Sequence, residues 1–103
     1  LTTCMRQYFS MIKSFRDKDT EKVFKRQRVK RFSLPVQKLA QRKLDLIDGV
    51  DLIEDLRIPP ENRVERLSGN RKGQYSIRVN DQWRICFKFF EGDAYEVQVT
   101  DYH

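Results

Sequence analysis

Apolar residues recur every three or four positions through the first half of the chain and at every second position through much of the rest, so the period changes from helical to extended. Met11-Ile12-Lys13-Ser14-Phe15 has the alternation of a short strand. Asp19-Thr20 offers an N-cap for a helix through Glu21, Val23, Phe24 and on to Arg28. Ser33-Leu34-Pro35 then supplies a cap with proline in the first turn. Val36, Leu39, Ala40, Lys43, Leu44 and Ile47 come next at i, i+3, i+4 spacing and predict a longer helix ending near Gly49. Asp51 to Leu56 reads as one or two more helical turns, and Ile58-Pro59-Pro60-Glu61-Asn62 as a loop.

Beyond that loop Val64 to Leu67 predicts a short strand, and Ser68-Gly69-Asn70-Arg71-Lys72-Gly73 a glycine-bounded turn. Tyr75, Ile77 and Val79 alternate with polar residues, Asn80-Asp81-Gln82 turns the chain, and Trp83, Ile85, Phe87 and Phe89 alternate again. Glu91-Gly92-Asp93 makes the next turn, and Tyr95, Val97 and Val99 carry a last strand toward Asp101-Tyr102-His103. The expected fold is α+β: two N-terminal helices packed on the apolar face of an antiparallel β-sheet meander. Residues 1–10 look unlike the rest of the chain and read as an extension, with 11–103 as a single domain; 103 residues leave room for one core.

Composition narrows the function. No apolar run approaches the roughly 20 residues that cross a bilayer, and no leader pattern opens the sequence, so we expect no membrane span or secretion signal. Cys4 and Cys86 are far apart and there is one histidine, which argues against a disulfide scaffold or a zinc module; no cofactor is expected. The formal net charge is +6, and it is uneven: residues 1–50 hold 13 Lys and Arg against 5 Asp and Glu, whereas residues 51–103 hold 8 against 10. Polyanion binding is thereby suggested. The densest stretch, with Lys22, Lys25, Arg26, Arg28, Lys30 and Arg31, reads either as a solvated helix face or as a phosphate-contact surface.

Strand parity puts Ser76, Arg78, Arg84, Cys86 and Lys88 on the sheet face away from the apolar residues. Three cations on an open face would attract phosphate, although such residues also populate any solvated sheet. His103 alone has an unperturbed pKa, roughly 6.5, suited to proton transfer near neutrality. It is either a frayed end or the proton carrier of a site with Asp101 and Tyr102. Cutting RNA without metal needs a base for the 2′-OH proton, cations for the charge building on phosphorus and an acid for the leaving 5′ oxygen; this chain could supply each. A regular strand would place Tyr102 on the open face and Asp101 and His103 on the other, so a joint site needs the terminus to bend. The Gly69 to Gly73 turn lacks the Gly-Lys-Ser/Thr of a phosphate loop, the carboxylates show no spacing for metal-assisted hydrolysis, and a single histidine argues against a nucleophile triad.

At Leu67-Ser68-Gly69-Asn70-Arg71-Lys72-Gly73, through Asn80-Asp81-Gln82-Trp83-Arg84 and in the closing Asp101-Tyr102-His103, the chain resembles the HigB-type toxins. These plasmid-maintenance killer proteins belong to the RelE superfamily, and the likeness runs from Met11 to His103. The resemblance implies a RelE-like microbial ribonuclease fold and a bacterial cytoplasmic toxin of a type II toxin–antitoxin system. Such a toxin enters the ribosomal A site, cuts mRNA without metal, and is neutralised by a HigA-like helix-turn-helix antitoxin; operator DNA is met only through that antitoxin. It further implies catalytic roles for Asp101, Tyr102 and His103, with Arg71 and Arg84 on the phosphate. Arg78, Lys88, Lys72, Lys25 and Arg28 are the expected RNA-binding cations. Where some relatives have a further His and Lys before the turn, this chain has Glu65 and Ser68. Glu65 offers a base but repels a phosphate backbone, so slow or selective cleavage is expected. The rival expectation is a basic protein that occupies ribosome or RNA without cutting.

Overall fold

The computed structural model describes residues 11–50, 52–67, 69 and 73–101. Helix α1 (Lys18–Phe24) opens on Asp17, whose carboxylate accepts the Thr20 N–H at 2.8 Å. The cap thus lies before the expected Asp19-Thr20, because an extended Asp17 reaches an amide of the first turn that has no helical partner. Thr20 is left inside the helix and fully buried. The helix also stops short of Arg28: Lys25 is its C-cap and Arg26 takes φ 64°. Gln37, buried on the next helix, holds the intervening loop by donating to the Gln27 carbonyl at 2.8 Å and accepting from Val29 N–H at 3.0 Å.

Helix α2 (Leu34–Gly49) begins as expected, with Ser33 as N-cap and Pro35 in the first turn. Its core stripe is Gln37, Ala40, Leu44 and Ile47, while Val36 and Leu39 are only partly buried. The helical turns expected over Asp51 to Leu56 form a 3-10 turn at Ile53–Arg57, and the expected loop at Ile58 to Asn62 contains a cis Ile58–Pro59 bond followed by a second 3-10 turn, Pro60–Asn62; Asp51 lies outside the described residues.

Among the described residues the sheet has four strands, β1 (Glu65–Arg66), β2 (Gln74–Arg78), β3 (Trp83–Phe90) and β4 (Asp93–Asp101), antiparallel and in sequential order. Glu91 and Gly92 both have positive φ, 50° and 83°, the two-residue turn whose twist matches a hairpin. Ile77, Ile85 and Val99 stack across the ladder, and with Phe87, Val97, Ala40, Leu44 and Ile47 they form the buried core. The last strand does not alternate as expected. Cys86 pairs with Gln98 but Lys88 pairs with Tyr95, so β4 carries an extra residue, and Glu96 has φ 52°. This bulge shifts the inward set to Ala94, Val97 and Val99 and leaves Tyr95 half-buried.

The outer edge of β4 is covered. Instead of a full strand, residues 11–16 make two isolated parallel bridges, Ile12 to Ala94 and Phe15 to Val97. Lys13 and Arg16 N–H groups donate to the Ala94 and Val97 carbonyls at 2.7 and 2.9 Å, and Ala94 and Val97 donate back to Met11 and Ser14 at 2.7 and 3.1 Å. The Asp48 carboxylate at the end of α2 anchors this segment by accepting Met11 and Ile12 N–H at 2.8 and 3.0 Å. Farther along, the Thr20 hydroxyl accepts the Val99 N–H at 2.9 Å. Unpaired edge amides invite further strands, and here a segment and a helix side chain occupy them. Among the described residues no helix is long and apolar enough to cross a membrane.

Thr20→Val keeps the shape of the side chain but leaves the Val99 amide unpaired in the core. Urea unfolding is expected to show a loss of about 1–3 kcal/mol, and Thr20→Ser, which retains the acceptor, a smaller one.

Candidate functional site

Arg84 lies on the sheet face turned away from the core stripe, opposite Arg78 on β2 and Thr100 on β4. That face is not open where the cations were expected to stand: Ser76, Arg84 and Cys86 are all buried. Part of the cover is the loop after Pro60–Asn62, which folds back over Arg84. The guanidinium donates through Nε to Ser76 Oγ at 2.9 Å, and through one terminal nitrogen to the Arg63 carbonyl at 2.6 Å and the Ser76 carbonyl at 3.3 Å. The Glu65 carboxylate stands 3.8 Å away. A buried guanidinium needs this many acceptors and a counter-charge, since desolvation otherwise makes it costly.

Around it is a depression of about 250 Å³ lined by Arg63, Glu65, Arg78, Asn80, Asp81 and Arg84. Its far rim is shaped by the Asn80 side chain, which accepts the Gln82 and Trp83 N–H groups at 2.9 and 2.8 Å and so fixes the turn carrying Asp81. Arg78 pairs with Asp81. Three guanidinium groups thus face two carboxylates, and the depression keeps a cationic excess that suits a phosphate.

The structure therefore brings together Glu65, Arg78 and Arg84. Asp101 stands beside them in sequence register: it lies opposite Trp83, one position past the Arg84–Thr100 pair, and accepts from the Gln82 amide at 3.1 Å. It shares the Trp83 side of the ladder, as strand parity requires. Arg71, Lys72, Ser68, Tyr102 and His103 lie outside the described residues.

The other expected RNA-binding cations stand apart and have protein partners. Lys88 is four residues along β3 from Arg84, about 13 Å, and pairs with Glu96 at 2.9 Å. The hydrogen bond from Lys88 and then its charge hold the Glu96 carboxyl below its ordinary value, against an opposing effect of desolvation, with a lesser contribution from the charge of Arg16. Lys25 pairs with Glu21 at 3.1 Å on α1. Arg28 donates to the Val29 and Phe32 carbonyls and to the Gln37 side chain, bracing the loop between the helices. Within the same basic stretch Arg26 pairs with Asp45 at 2.9 Å, and Arg31 lies over the Phe32 and Trp83 rings at 5.1 and 5.3 Å. Much of that run is matched internally. Periodicity gave no sign of Arg63, Asn80 and Asp81 as lining residues; an Asn-Asp turn beside an arginine-bearing strand was the only available hint. Among the described residues no three His, Cys, Asp or Glu side chains gather in metal-binding geometry.

Comparison with known proteins gives a consistent result. The model of a HigB-like toxin family, described as the RelE-like toxin of type II toxin–antitoxin system HigB, matches residues 13–103. Endoribonuclease HigB of Proteus vulgaris is 35% identical over 95 residues, covering 90% of this chain and all of that protein. Toxin HigB-1 of Vibrio cholerae serotype O1 is 53% identical over 53 residues, covering 52% of this chain; the match spans 56% of that relative's length, just over half. The fold resembles a chain of the YoeB-YefM complex from Staphylococcus aureus, with TM-score 0.51 at 14% identity, covering 89% of this chain and 97% of that one.

Replacing Arg84 by Met strands the Ser76 hydroxyl and the Arg63 carbonyl and leaves Glu65 without its counter-charge. Chemical denaturation is expected to show a loss of about 2–4 kcal/mol; a change below about 0.5 kcal/mol would mean that solvent replaces these bonds without cost.

Proposed function

The chain belongs to the HigB-like family of RelE-type toxins of type II toxin–antitoxin systems, and from that premise we propose that it is a ribosome-dependent endoribonuclease that cuts mRNA in the ribosomal A site without metal. The observation that carries this reading is the cationic depression around Arg84, adjoining the strand that leads to Asp101-Tyr102-His103. A name borne by a relative supplies the activity class, and the depression supplies a place where a phosphodiester is stabilised.

In the proposed reaction the 2′ oxygen attacks the adjacent phosphorus, the bond to the 5′ oxygen breaks, and a 2′,3′-cyclic phosphate and a 5′-hydroxyl result. One proton leaves the 2′-OH and another reaches the 5′ oxygen. His103 is the proposed proton carrier, Asp101 orients it or shares the proton, and Tyr102 stacks on a base or assists the transfer. The cations Arg71, Arg84 and Arg78, with Lys72, oppose the charge that grows on the phosphate oxygens. Positive groups fixed before the reaction act without reorganisation, and the hydrogen-bonded Arg84 meets that requirement. Glu65, beside Arg84, is the further proposed base; the nearby guanidinium lessens its repulsion of the RNA backbone. Lys88, Lys25 and Arg28 are proposed to add to the field that draws RNA in.

The proposed setting is the bacterial cytoplasm, with ribosome and mRNA as targets and a HigA-like helix-turn-helix antitoxin as the neutralising partner. Contact with operator DNA runs through that antitoxin. The rival reading is a growth inhibitor that binds RNA or ribosome without cutting; Glu65 in the depression favours it, since a carboxylate there opposes a phosphate.

Mapping of 5′ ends on an mRNA incubated with the purified protein, with and without programmed ribosomes, separates the two. The expected result is in-frame cuts at the A site only when ribosomes are present, with at least a hundredfold loss in His103→Ala, the usual scale of a missing general acid or base. Inhibited translation with no cuts in any lane would overturn the nuclease reading in favour of binding.

A further inference from the structure

Arg63 stands out among the cations of the depression. Its backbone is left-handed, φ 45° and ψ 61°, a conformation that an ordinary L-residue adopts at a cost of roughly 1–2 kcal/mol and glycine adopts freely. Both of its main-chain groups are engaged: the N–H donates to the Pro60 carbonyl at 3.0 Å, and the carbonyl accepts from Arg84 at 2.6 Å. The preceding Asn62 is fully buried, donating to the Leu56 carbonyl at 2.9 Å and accepting from Lys43. The turn is therefore pinned from helix α2 on one side and from strand β3 on the other. Yet the exposed Arg63 side chain, which lines the depression, makes no hydrogen bond or ion pair among the described residues. Arg78 has Asp81, and Arg84 has Ser76, Arg63 and Glu65.

We propose that Arg63 is a further RNA-contacting cation of this site, its guanidinium taking one phosphate in the depression, and that Arg84, besides the charge it supplies there, holds the Arg63 backbone in place. The inference rests on the ribosome-directed reading above and assigns a residue that it does not use. An arginine at a left-handed position whose side chain has no hydrogen bond or ion pair among the described residues does not serve the backbone there, because glycine adopts that conformation more freely. Two of the three lining guanidinium groups are opposed by Asp81 and Glu65, so Arg63 carries the uncompensated charge. The depression has room for a phosphate with attendant water, a water in the liquid taking roughly 30 Å³. Two sources of phosphate are available on a ribosome, the message and the ribosomal RNA, and the chemistry of recognition is the same.

Arg63→Gly removes the guanidinium while relaxing the backbone, so the variant is expected to melt at or above the wild-type temperature. Binding is measured by fluorescence anisotropy of the labelled full chain, in a His103→Ala background that prevents cutting, across a salt series. One arm uses ribosomes with message in the A site, and the other uses ribosomes whose message ends before it. Loss of one contact to single-stranded RNA phosphate lowers the slope of log affinity against log salt by about 0.7, which is about fivefold in affinity at 0.1 M salt. We expect that loss in Arg63→Gly and a restored slope in Arg63→Lys. A loss confined to the arm with A-site message assigns the phosphate to mRNA, and a loss in both arms assigns it to ribosomal RNA; both sustain the contact. Wild-type slope and affinity in Arg63→Gly, with ribosome binding intact, would overturn the inference alone. No ribosome binding by the parent protein in either arm would overturn the ribosome-directed reading and the inference with it.

Discussion

A buried guanidinium cannot be left without acceptors, and the sheet face around Arg84 is organised by that constraint. Ser76 supplies a hydroxyl and a carbonyl, the loop after Pro60–Asn62 supplies the Arg63 carbonyl, and Glu65 supplies charge. These bonds do more than satisfy one side chain. They tie a two-residue edge strand and a left-handed turn to the centre of the sheet, where main-chain pairing is short: among the described residues β1 pairs with β2 through Glu65–Ser76 and Arg66–Tyr75, continued by the Leu67 N–H to the Gln74 carbonyl. The depression exists because the loop is drawn over the sheet without filling it.

The opposite edge obeys a different rule. β4 would expose its amides, and the chain uses residues 11–16 and the Thr20 hydroxyl to occupy them. Asp48 at the end of α2 fixes the start of that segment, so helix, edge and core are held by the same few polar contacts. A bulge at Glu96 lets β4 keep Val97 and Val99 in the core while its far end stays in register with Trp83 and Arg84. That register delivers Asp101 to the end of the sheet where the depression lies.

Elements governed by local periodicity were legible in advance. Helix α2, strand β3 and the hairpin turn at Glu91-Gly92 fall where spacing and turn chemistry put them. Contacts made at a distance were not. Nothing near Asp17 says that it outcompetes Asp19 as a cap, nor does alternation in β4 disclose a bulge. The parity of β3 correctly turns Arg84 away from the apolar core, yet its burial depends on a loop that local sequence marks only as a break. Arg63 had no signal at all, since a left-handed backbone at an arginine arises from tertiary bonds. Lys25, Arg28 and Arg31 are equally instructive: a basic run in sequence becomes, in large part, a set of ion pairs, carbonyl contacts and ring contacts in the fold.

The central physical claim is that the Arg84 fork holds the loop and edge strand that frame the depression. Amide hydrogen exchange on Arg84→Lys tests it, because lysine keeps the charge and loses the fork. The account predicts faster exchange at Arg63 and at Leu67, whose N–H donates to the Gln74 carbonyl at 2.9 Å, with Ile85 and Val99 still protected. Unchanged protection at Arg63 and Leu67, or an equal loss across all strands, would contradict it.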